Sequence, residues 1–468
     1  MAERSAPASG SEHSRGFAGA DPRALALGIL RRARQGGARP ARLLAAVHRR
    51  GFPERDLRLA TELLYGTLRW RPALDAIARQ LSRRRPPPAD LADVLHLALY
   101  QILFLDRVPA HAAVSRAVDQ ARALGGSRAA GFVNALLRAA CRQGRTLLEP
   151  PPDTRVPPAG NPGWRQAEAL ARRYAHPPWL VRRWLERYGA AATGSLLEFD
   201  QRAPELALWP APDAGDLGGA LQAAGVECAP ARFVPGALRA RGGTLPFTPL
   251  HRQGRLTIQD EASQLVIWML ERPIRGPVLD LCAGSGGKTA QMIAAASPSA
   301  WVVAGDRSRL ALRALRARLR RRRLPPPALL GVDWESGGAL RSRFEVVLLD
   351  APCTGTGVLR RRPEIKERLR PSDIGHLTAR QDRLLEEAAR RTAPGGELLY
   401  AVCSLEPEEG EERVEAFLRG HPEFERAGPA DGFPAGARTL VTSRGDLRTL
   451  PWRDEVDGFF ASRLRRRR

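Results

Sequence analysis

The first part of the chain has the hydrophobic periodicity of amphipathic helices. From about residue 21 to residue 143, apolar residues recur at intervals of three and four, and strand-like alternation is absent. Asp21-Pro22 forms a helix start, with a capping side chain followed by proline at the first helical position. We therefore predict an all-α domain over residues 21–145. Its two clearest apolar stripes are Leu57, Ala60, Leu64 and Leu68, and Leu91, Val94, Leu95, Ala98, Ile102 and Leu105.

The pattern changes on both sides of this domain. Residues 1–20 are rich in glycine, serine and alanine without periodicity, which predicts a disordered tail. Residues 146–164 contain six prolines and are predicted to be a linker. Residues 165–260 combine a helical stretch, Trp179 to Tyr188, with short strand-like runs such as Leu206 to Trp209. These features predict a small α+β module.

From about residue 261 onward, short unbroken apolar runs alternate with helical patterns. Such runs are typical of parallel strands that are buried on both faces and connected by helices. The chain is therefore predicted to be multidomain, with an all-α N-terminal domain, a small α+β middle module and an α/β doubly wound domain over residues 261–468. Open α/β sheets bind ligands at the carboxyl ends of their strands.

Five successive predicted strands end in residues that suit a ligand site. One aspartate in such a place is often only a turn or cap residue, but five ends in order predict a shared site. Cys353 follows one of these ends closely, so two thiols are expected at the same edge. Taken singly, free cysteines are often small buried hydrophobes. The five strand-end residues are Gly284, Asp306, Asp333, Asp350 and Cys403.

The segment from Val278 to Thr289 is predicted to be a strand, a glycine turn and a helix start. A Walker phosphate loop requires glycine where Cys282 stands, and a dinucleotide fingerprint requires glycine or alanine at Thr289. A turn for S-adenosylmethionine requires an acidic residue near the strand end, and Asp280 supplies it. The glycines let the backbone approach a ligand. The segment therefore favours S-adenosylmethionine.

Composition indicates a partner and a compartment. The net charge of +24 and the pI near 11.3 predict a polyanionic partner, most simply nucleic acid. Arginine supplies nearly all of the basic residues, which indicates a nucleotide-composition bias. The net charge alone therefore overstates the argument for a nucleic-acid partner. Lys288 and Lys366 are the two lysines, and both lie in motifs.

The five cysteines include no Cys-x-x-Cys pair, which predicts a cytoplasmic protein without structural zinc. No stretch approaches the roughly 20 apolar residues of a membrane span, and the start of the chain lacks a signal-peptide pattern. We therefore expect no membrane partner.

The motifs together resemble the RNA cytosine-C5 methyltransferases, most closely the RsmB/Sun-type enzymes that act on small-subunit (16S) ribosomal RNA. Motifs of the N-terminal half are similar to the NusB-type helical RNA-binding domain, and they are Glu62 to Trp70, Pro109 to Val114 and Phe132 to Asn134. The matching segments of the other half are Gln259 to Ser263, Asp280 to Thr289, Asp350 to Cys353, Arg361 to Lys366, Tyr400 to Ser404 and Asp457 to Phe460.

The resemblance implies S-adenosylmethionine as the cofactor, 16S ribosomal RNA as the partner and catalysis without a metal by a chain expected to be a monomer. It assigns attack on carbon 6 of a cytosine to Cys403, help in product release to Cys353, and contact with the base to Asp350. A further hypothesis gives Arg361, Arg362 and Lys366 a phosphate of the substrate. The residues expected to hold the cofactor are Cys282, Ala283, Gly284, Ser285, Gly286, Gly287, Lys288, Asp306, Asp333 and Asp350.

Three positions depart from the family pattern. Gly284-Ser285 stand where Ala-Pro is usual, Ala207-Leu208-Trp209 where Arg-Val-Asn is usual, and Gly410 where an asparagine is expected. Two other functions stay open at this point. One is a C5 methyltransferase that acts on cytosine or uracil of another RNA such as tRNA, and the other is a non-catalytic RNA-binding factor.

Overall fold

The structure, a computed structural model, describes residues 21–36, 40–48, 52–82, 86–148, 162–241, 249–337 and 340–468. The chain divides into two compact units, Met1–Gln201 and Arg202–Arg468. The predicted tail and most of the predicted linker lie outside the described residues. Within those ranges, no helix has the length and the hydropathy that a membrane crossing requires.

The N-terminal unit is helical, as the periodicity predicts. Helix α1 (Pro22–Gly36) begins at the expected place, where the Asp21 carboxylate accepts hydrogen bonds from the backbone N–H groups of Arg23 (2.7 Å) and Ala24 (3.2 Å). The unit continues with α2 (Pro40–His48), α3 (Glu54–Leu81), α4 (Ala89–Phe104), α5 (Ala110–Gln143), a 3-10 helix (Gly144–Leu148), α6 (Pro162–Arg173) and α7 (Pro178–Gln201).

The motif around Gly66 packs α3 against α4. A Cβ atom at Gly66 would lie within 2.3 Å of the Tyr100 ring, so only glycine permits this approach. The Tyr100 hydroxyl donates a hydrogen bond of 2.5 Å to Glu62, one helical turn before Gly66. Leu64 and Leu68 of the predicted stripe are buried. The part of this motif from Glu62 to Leu68 is therefore a helix-packing motif.

The region predicted as one α+β module, residues 165–260, is distributed over both units. Helices α6 and α7 belong to the N-terminal unit, where α6 contacts α3. The strands of the region belong to the C-terminal unit. An apolar stripe shows that a helix has a buried face but does not show which core it covers, and the sequence therefore misplaces this boundary.

The C-terminal unit begins with a small antiparallel sheet in the order β2-β3-β1-β4. Leu208, Leu221 and Leu256 lie at the centre of its apolar core. Its elements are β1 (Leu206–Pro210), α8 (Leu217–Ala223), β2 (Glu227–Pro230), β3 (Leu238–Arg241), α9 (Pro249–Arg252) and β4 (Leu256–Ile258).

A larger mixed sheet follows in the order β10-β12-β9-β8-β5-β6-β7, and β11 pairs with β12. Its elements are α10 (Glu261–Trp268), β5 (Pro277–Asp280), α11 (Gly287–Ala295), β6 (Trp301–Asp306), α12 (Arg309–Arg321), β7 (Ala328–Gly331), β8 (Phe344–Asp350), α13 (Ile365–Arg368), α14 (Pro371–Arg391), β9 (Thr392–Val402), α15 (Glu411–Gly420), β10 (Phe424–Arg426), β11 (Leu447–Thr449), α16 (Pro451–Asp454) and β12 (Phe459–Arg466).

Strands β5 to β9 are parallel, which confirms the doubly wound fold. The sheet is not parallel throughout, however, because β10, β11 and β12 pair antiparallel. The connection from β11 to β12 is shorter than the dozen or more residues that a parallel crossover needs. Apolar content alone does not reveal strand direction. The strand order reverses at β5, and in open α/β sheets such a reversal is where a ligand-binding crevice lies, here at the carboxyl ends of β5 and β8.

Candidate functional site

The predicted strand-end residues lie along one edge of the sheet. Strand β5 leads into the glycine turn, β6 ends at Asp306, and β8 ends at Asp350. Cys403 directly follows β9, and Asp333 lies two residues beyond β7. Because these five strands are parallel, all of these residues belong to the carboxyl edge, on both sides of the reversal in strand order.

The turn between β5 and α11 depends on two glycines. Gly284 and Gly286 have φ angles of +55° and +78°, in the left-handed region that favours glycine. A Cβ atom at Gly286 would lie 2.5 Å from the Leu315 side chain, so this glycine also allows α12 to pack closely. At Gly284 the nearest atom to such a Cβ would be 3.9 Å away. The backbone at Gly284, which with Ser285 departs from the usual Ala-Pro of the family pattern, is therefore open to a ligand.

Asp280 supports the turn from inside the protein. Its buried carboxylate accepts a hydrogen bond of 2.6 Å from the Thr289 hydroxyl, which links the end of β5 to the first turn of α11. Burial raises the pKa of Asp280 to about 7. One oxygen of Asp280 thus supports the turn, and its other oxygen, Oδ1, is buried without a hydrogen-bond partner among the residues that the structure describes.

Asp306 is half-buried and holds the turn from the neighbouring strand. Its two oxygens accept hydrogen bonds from the backbone N–H groups of Gly284 (2.8 Å) and Ser308 (2.7 Å). A carboxylate has about four acceptor sites, so it can accept a ligand hydroxyl in addition. Asp333 is exposed and accepts from the Glu335 N–H at 3.1 Å, at the start of a 3-10 helix.

Lys288 and Asp350 form an ion pair across the site. The Lys288 Nζ atom lies 2.8 Å from Asp350 Oδ2 and 5.0 Å from the centroid of the Phe459 ring. The Lys288 side chain is 8% exposed, whereas that of Asp350 is 34% exposed. An ammonium group is a compact charge that fits such a confined place better than a planar guanidinium does. The Asp350 carboxylate remains accessible from the crevice.

The two predicted thiols are adjacent. The Sγ atoms of Cys353 and Cys403 are 3.3 Å apart, a hydrogen-bonding contact that is longer than the roughly 2.05 Å of a disulfide. Both cysteines are half-buried at the ends of neighbouring strands. The structure thus brings together two groups that are fifty residues apart in the sequence.

The surroundings make the two thiols unequal. The hydrogen bond with Cys353 lowers the pKa of Cys403 against the effects of burial and of the Asp350 carboxylate, and the charges of Lys288 and Arg362 also lower it. The same hydrogen bond raises the pKa of Cys353, to which burial and the nearby Glu409 carboxylate add. A thiolate is the reactive form of cysteine. These directions favour the thiolate at Cys403 over the thiolate at Cys353.

Glu409 connects the two cysteine loops beneath the thiols. Its carboxylate is fully buried and accepts from the Thr354 N–H (2.9 Å) and the Gln381 side chain (3.1 Å). The hydroxyls of Thr354 and Ser404 donate to its other oxygen. Burial raises the pKa of Glu409, and these donors oppose that shift. Because Thr354 follows Cys353 and Ser404 follows Cys403, one carboxylate positions both loops.

The sequence does not single out Glu409. It belongs to a short acidic run with Glu406 and Glu408, and such runs usually lie on a solvated face. Only the fold shows that the Glu409 side chain turns inward to meet Thr354 and Ser404. A buried carboxylate with several donors is a feature of tertiary structure that no local spacing predicts.

Glu409→Gln should reduce turnover at least about tenfold and lower the melting temperature. The substitution keeps the size of the side chain but places an amide N–H₂ group against donors, and a buried donor without a partner costs about 1–3 kcal/mol. Steady-state kinetics and thermal melting test this expectation. The control is Glu412→Gln, at an exposed position of α15. Wild-type turnover and melting temperature in Glu409→Gln would contradict the positioning role.

Arg361 has an internal role and does not face a substrate phosphate. Its guanidinium donates to Asp457 (2.8 Å) and Asp260 (2.5 Å) and to the Glu205 carbonyl (2.9 Å). Burial opposes the charge of Arg361, but the two carboxylates hold its pKa above the usual value. Its donors are therefore used within the protein, and the phosphate hypothesis is wrong for this residue.

The other two members of that group differ from each other. Lys366 is 3% exposed and lies in α13, so it is not a surface phosphate ligand in this structure. Arg362 is half-buried and pairs with Glu364 at 3.4 Å. Of the three, Arg362 alone combines partial exposure with an electrostatic effect on Cys403.

The polar groups along the crevice are of the kind that an adenosyl cofactor needs. Hydroxyl and amino groups of such a ligand need acceptors, and the carboxylates of Asp306, Asp333 and Asp350 are each at least partly exposed along successive strand ends. The open side of Gly284 allows close approach to the backbone. The remaining residues of the predicted set lie in the same segment, from the end of β5 to the first turn of α11, and they are Cys282, Ala283, Ser285, Gly286, Gly287 and Lys288.

Two family models match the chain. Residues 268–465 match the model described as 16S rRNA methyltransferase RsmB/F, and residues 21–142 match the NusB family. The chain is 32% identical over 457 residues to the Xanthomonas campestris protein named ribosomal RNA small subunit methyltransferase B, covering 92% of this chain and 93% of that protein. A Synechocystis protein named "Probable ribosomal RNA small subunit methyltransferase B" is 32% identical, covering 88% of this chain and 91% of that protein.

Solved structures share the fold. The crystal structure of PH0851 superposes with a TM-score of 0.78 at 24% identity and covers 95% of this chain and 99% of its own. The structure of NSun6 from Pyrococcus horikoshii, which contains SFG, has a TM-score of 0.55 at 17% identity and covers 62% of this chain and 98% of its own. At these identities the likeness concerns architecture.

Proposed function

The chain belongs to the RsmB/F family of 16S rRNA methyltransferases and carries a NusB-family domain, and from this premise we propose its chemistry and its target. It transfers a methyl group from S-adenosylmethionine to carbon 5 of a cytidine in small-subunit ribosomal RNA through a covalent cysteine adduct. The observation that carries this proposal is the Cys353–Cys403 pair, with Sγ atoms 3.3 Å apart at the crevice edge.

Cys403 provides the nucleophile. Carbon 5 of cytosine is a poor nucleophile, but addition of a thiolate to carbon 6 makes it enamine-like. The lowered pKa of Cys403 favours the thiolate that this addition requires. S-adenosylmethionine supplies an electrophilic methyl group, which carbon 5 then acquires. The target base has to leave any stacked arrangement to reach the thiolate.

Asp350 and Lys288 orient the base and balance charge. The partly exposed Asp350 carboxylate can accept a hydrogen bond from the exocyclic amino group of cytosine, which uracil lacks. Lys288 holds this carboxylate in place at 2.8 Å and adds positive charge beside Cys403. This contact is the reason for proposing cytosine over uracil.

Cys353 acts in product release. After methylation, solvent water accepts the proton from carbon 5, the electron pair of that C–H bond forms the double bond between carbons 5 and 6, and the bond between carbon 6 and the Cys403 sulfur breaks to leave a thiolate, to which the Cys353 thiol can donate a hydrogen bond. The Cys353 thiol lies 3.3 Å from that sulfur, which is the leaving atom of this step. Its raised pKa makes it a group that holds a proton in the resting site.

Asp306→Ala should weaken S-adenosylmethionine binding about ten- to a hundredfold. The substitution removes a charged acceptor for the ribose hydroxyls, and a hydrogen bond to a charged group is worth about 1.5–3 kcal/mol. Titration calorimetry measures the affinity, with Asp431→Ala, at an exposed position of the same unit, as the control. Unchanged affinity in Asp306→Ala would remove this residue from the cofactor site.

Bisulfite sequencing of ribosomal RNA tests the proposed function as a whole. We expect one cytidine of 16S rRNA to be protected in cells that contain this protein and unprotected in cells that lack it. A protected site in tRNA instead would favour the methyltransferase with another target. If no site changes and titration detects no S-adenosylmethionine binding, the chain is a non-catalytic RNA-binding factor.

A further inference from the structure

Helix α12 has an unbalanced charge. It contains six arginines and no acidic residue, and Leu312, Leu315 and Leu319 form its buried face. Like charges one turn apart on a helix repel each other, so this composition is unfavourable for the isolated helix. Binding of a partner of opposite charge to the charged face would relieve this repulsion.

Four of these arginines form a continuous exposed stripe, which we call the arginine face. Its residues are Arg309, Arg313, Arg316 and Arg320, at intervals of four, three and four, and all four are exposed. These intervals place them on one side of the helix over about 16 Å. Throughout the part of the chain that the structure describes, none of the four forms an ion pair with a carboxylate.

Overall composition does not explain this face, because arginines on another helix are paired. On α14, Arg380 and Arg383 both contact Glu335, at 2.8 Å for Arg383. Arg390 and Arg391 both contact Glu387, at 2.8 and 2.7 Å. Helix α14 has four arginines and four acidic residues among its 21 residues, whereas α12 has six arginines and no acidic residue among 13. The unpaired charge on α12 is a property of that helix.

The arginine face is also held firmly at both ends of the helix. Ser308 caps the first turn and Arg318 donates to the Ser285 carbonyl at 2.9 Å, which ties α12 to the glycine turn. Beyond the last turn, Arg322 donates to the carbonyls of Trp209 (3.2 Å) and Pro210 (3.0 Å) in the small sheet. Because the helix backbone is already ordered, the entropy cost of binding falls on the arginine side chains alone.

We propose that the arginine face binds the phosphate backbone of the ribosomal RNA next to the target cytidine. Guanidinium groups bind phosphates with two parallel hydrogen bonds. The four arginines lie in a row along α12, so they can contact successive phosphates of one RNA strand. The helix starts three residues after Asp306, at the edge of the crevice, so the face leads away from the site. This inference rests on the proposed function, because it names a second contact of the same substrate.

The test compares two variants that remove the same charge. In the first, the four residues of the arginine face are replaced by glutamine, which preserves helix propensity. In the control, glutamine replaces four exposed arginines outside α12, namely Arg275, Arg343, Arg419 and Arg438. Filter binding measures the affinity of each full-length protein for a protein-free 16S rRNA transcript between 50 and 200 mM salt, which is about the range where phosphate contacts dominate.

We expect the first variant to lose affinity about 10²-fold at 0.1 M salt and its salt slope to fall by about 3, since each phosphate contact contributes about 0.7–0.9 to the slope. The control should keep most of its affinity. Both variants should bind S-adenosylmethionine like the wild type, which checks folding. Equal losses in the two variants would mean that net charge alone attracts the RNA, and this result would overturn the proposal.

The proposed function can fail separately. If the wild-type protein methylates no cytidine of the transcript, the function is wrong, whatever the variants bind. If the wild type methylates a cytidine and the first variant binds and methylates at the wild-type level, the arginine face has no role. The two inferences therefore have different failing results.

Discussion

Cys403→Ala is expected to abolish methyl transfer, with a loss of at least about 10⁴-fold, while S-adenosylmethionine binding stays unchanged. Without this thiolate nothing adds to carbon 6, and carbon 5 stays too poor a nucleophile to accept the methyl group. Cys403 is not one of the residues expected to bind S-adenosylmethionine, which are those of the glycine turn together with Asp306, Asp333 and Asp350. Transfer of a radiolabelled methyl group to rRNA and calorimetry with the cofactor measure the two effects.

Two other cysteines provide the control for that result. Cys141 is exposed in the N-terminal unit and Cys228 lies in the small sheet, so replacing either by alanine should leave activity near the wild-type level. Residual activity of Cys403→Ala above about a hundredth of the wild type would show that Cys403 is not the attacking group.

Cys353→Ala is expected to stop turnover at a different step and to trap the protein on its RNA. Cys403 is still present to attack, but the group beside it that assists release is missing. The adduct should survive denaturation and appear as a slowly migrating species in a denaturing gel. Its yield should approach one RNA per protein when S-adenosylmethionine is supplied.

The double variant, with both cysteines replaced by alanine, distinguishes this trap from nonspecific crosslinking. It should form no adduct, because neither thiol of the Cys353–Cys403 pair remains to attack. A stable adduct from Cys403→Ala together with none from Cys353→Ala would exchange the roles of the two residues. The 3.3 Å contact between the sulfurs is compatible with either order, and the pKa difference favours attack by Cys403.

The parts of the site that lie at strand ends could be predicted from the sequence. A parallel strand reads as a short apolar run, and the residue that follows it has a defined place at the carboxyl edge. By this rule the sequence predicts that Asp306, Asp350 and Cys403 lie at one edge. The glycine turn can also be predicted from the sequence, since the positive φ angles at Gly284 and Gly286 favour glycine.

Residues that act from beneath the site could not be predicted in this way. Glu409 and Asp457 are acidic residues in loops, and their sequence neighbours do not show that their side chains turn inward. The role of Arg361 is hidden from the sequence for the same reason: an arginine in a motif suggests a phosphate ligand, whereas the fold provides two buried carboxylates. Such roles depend on contacts between distant segments, which local patterns do not contain.

The ion pairs of Arg361 have a consequence for the order in which the protein folds. Arg361 lies 96 residues from Asp457 and 101 from Asp260, and the backbone of Asp457 also contacts Asp260 across 197 residues. Contacts between such distant segments form late, because closing long loops costs entropy before any contact repays it. The glycine turn, in contrast, is held by Asp306, which lies 22 residues from Gly284. A chain emerging from the ribosome therefore contains the glycine turn and its Asp306 contact well before it contains Asp457, which the ion pairs of Arg361 require.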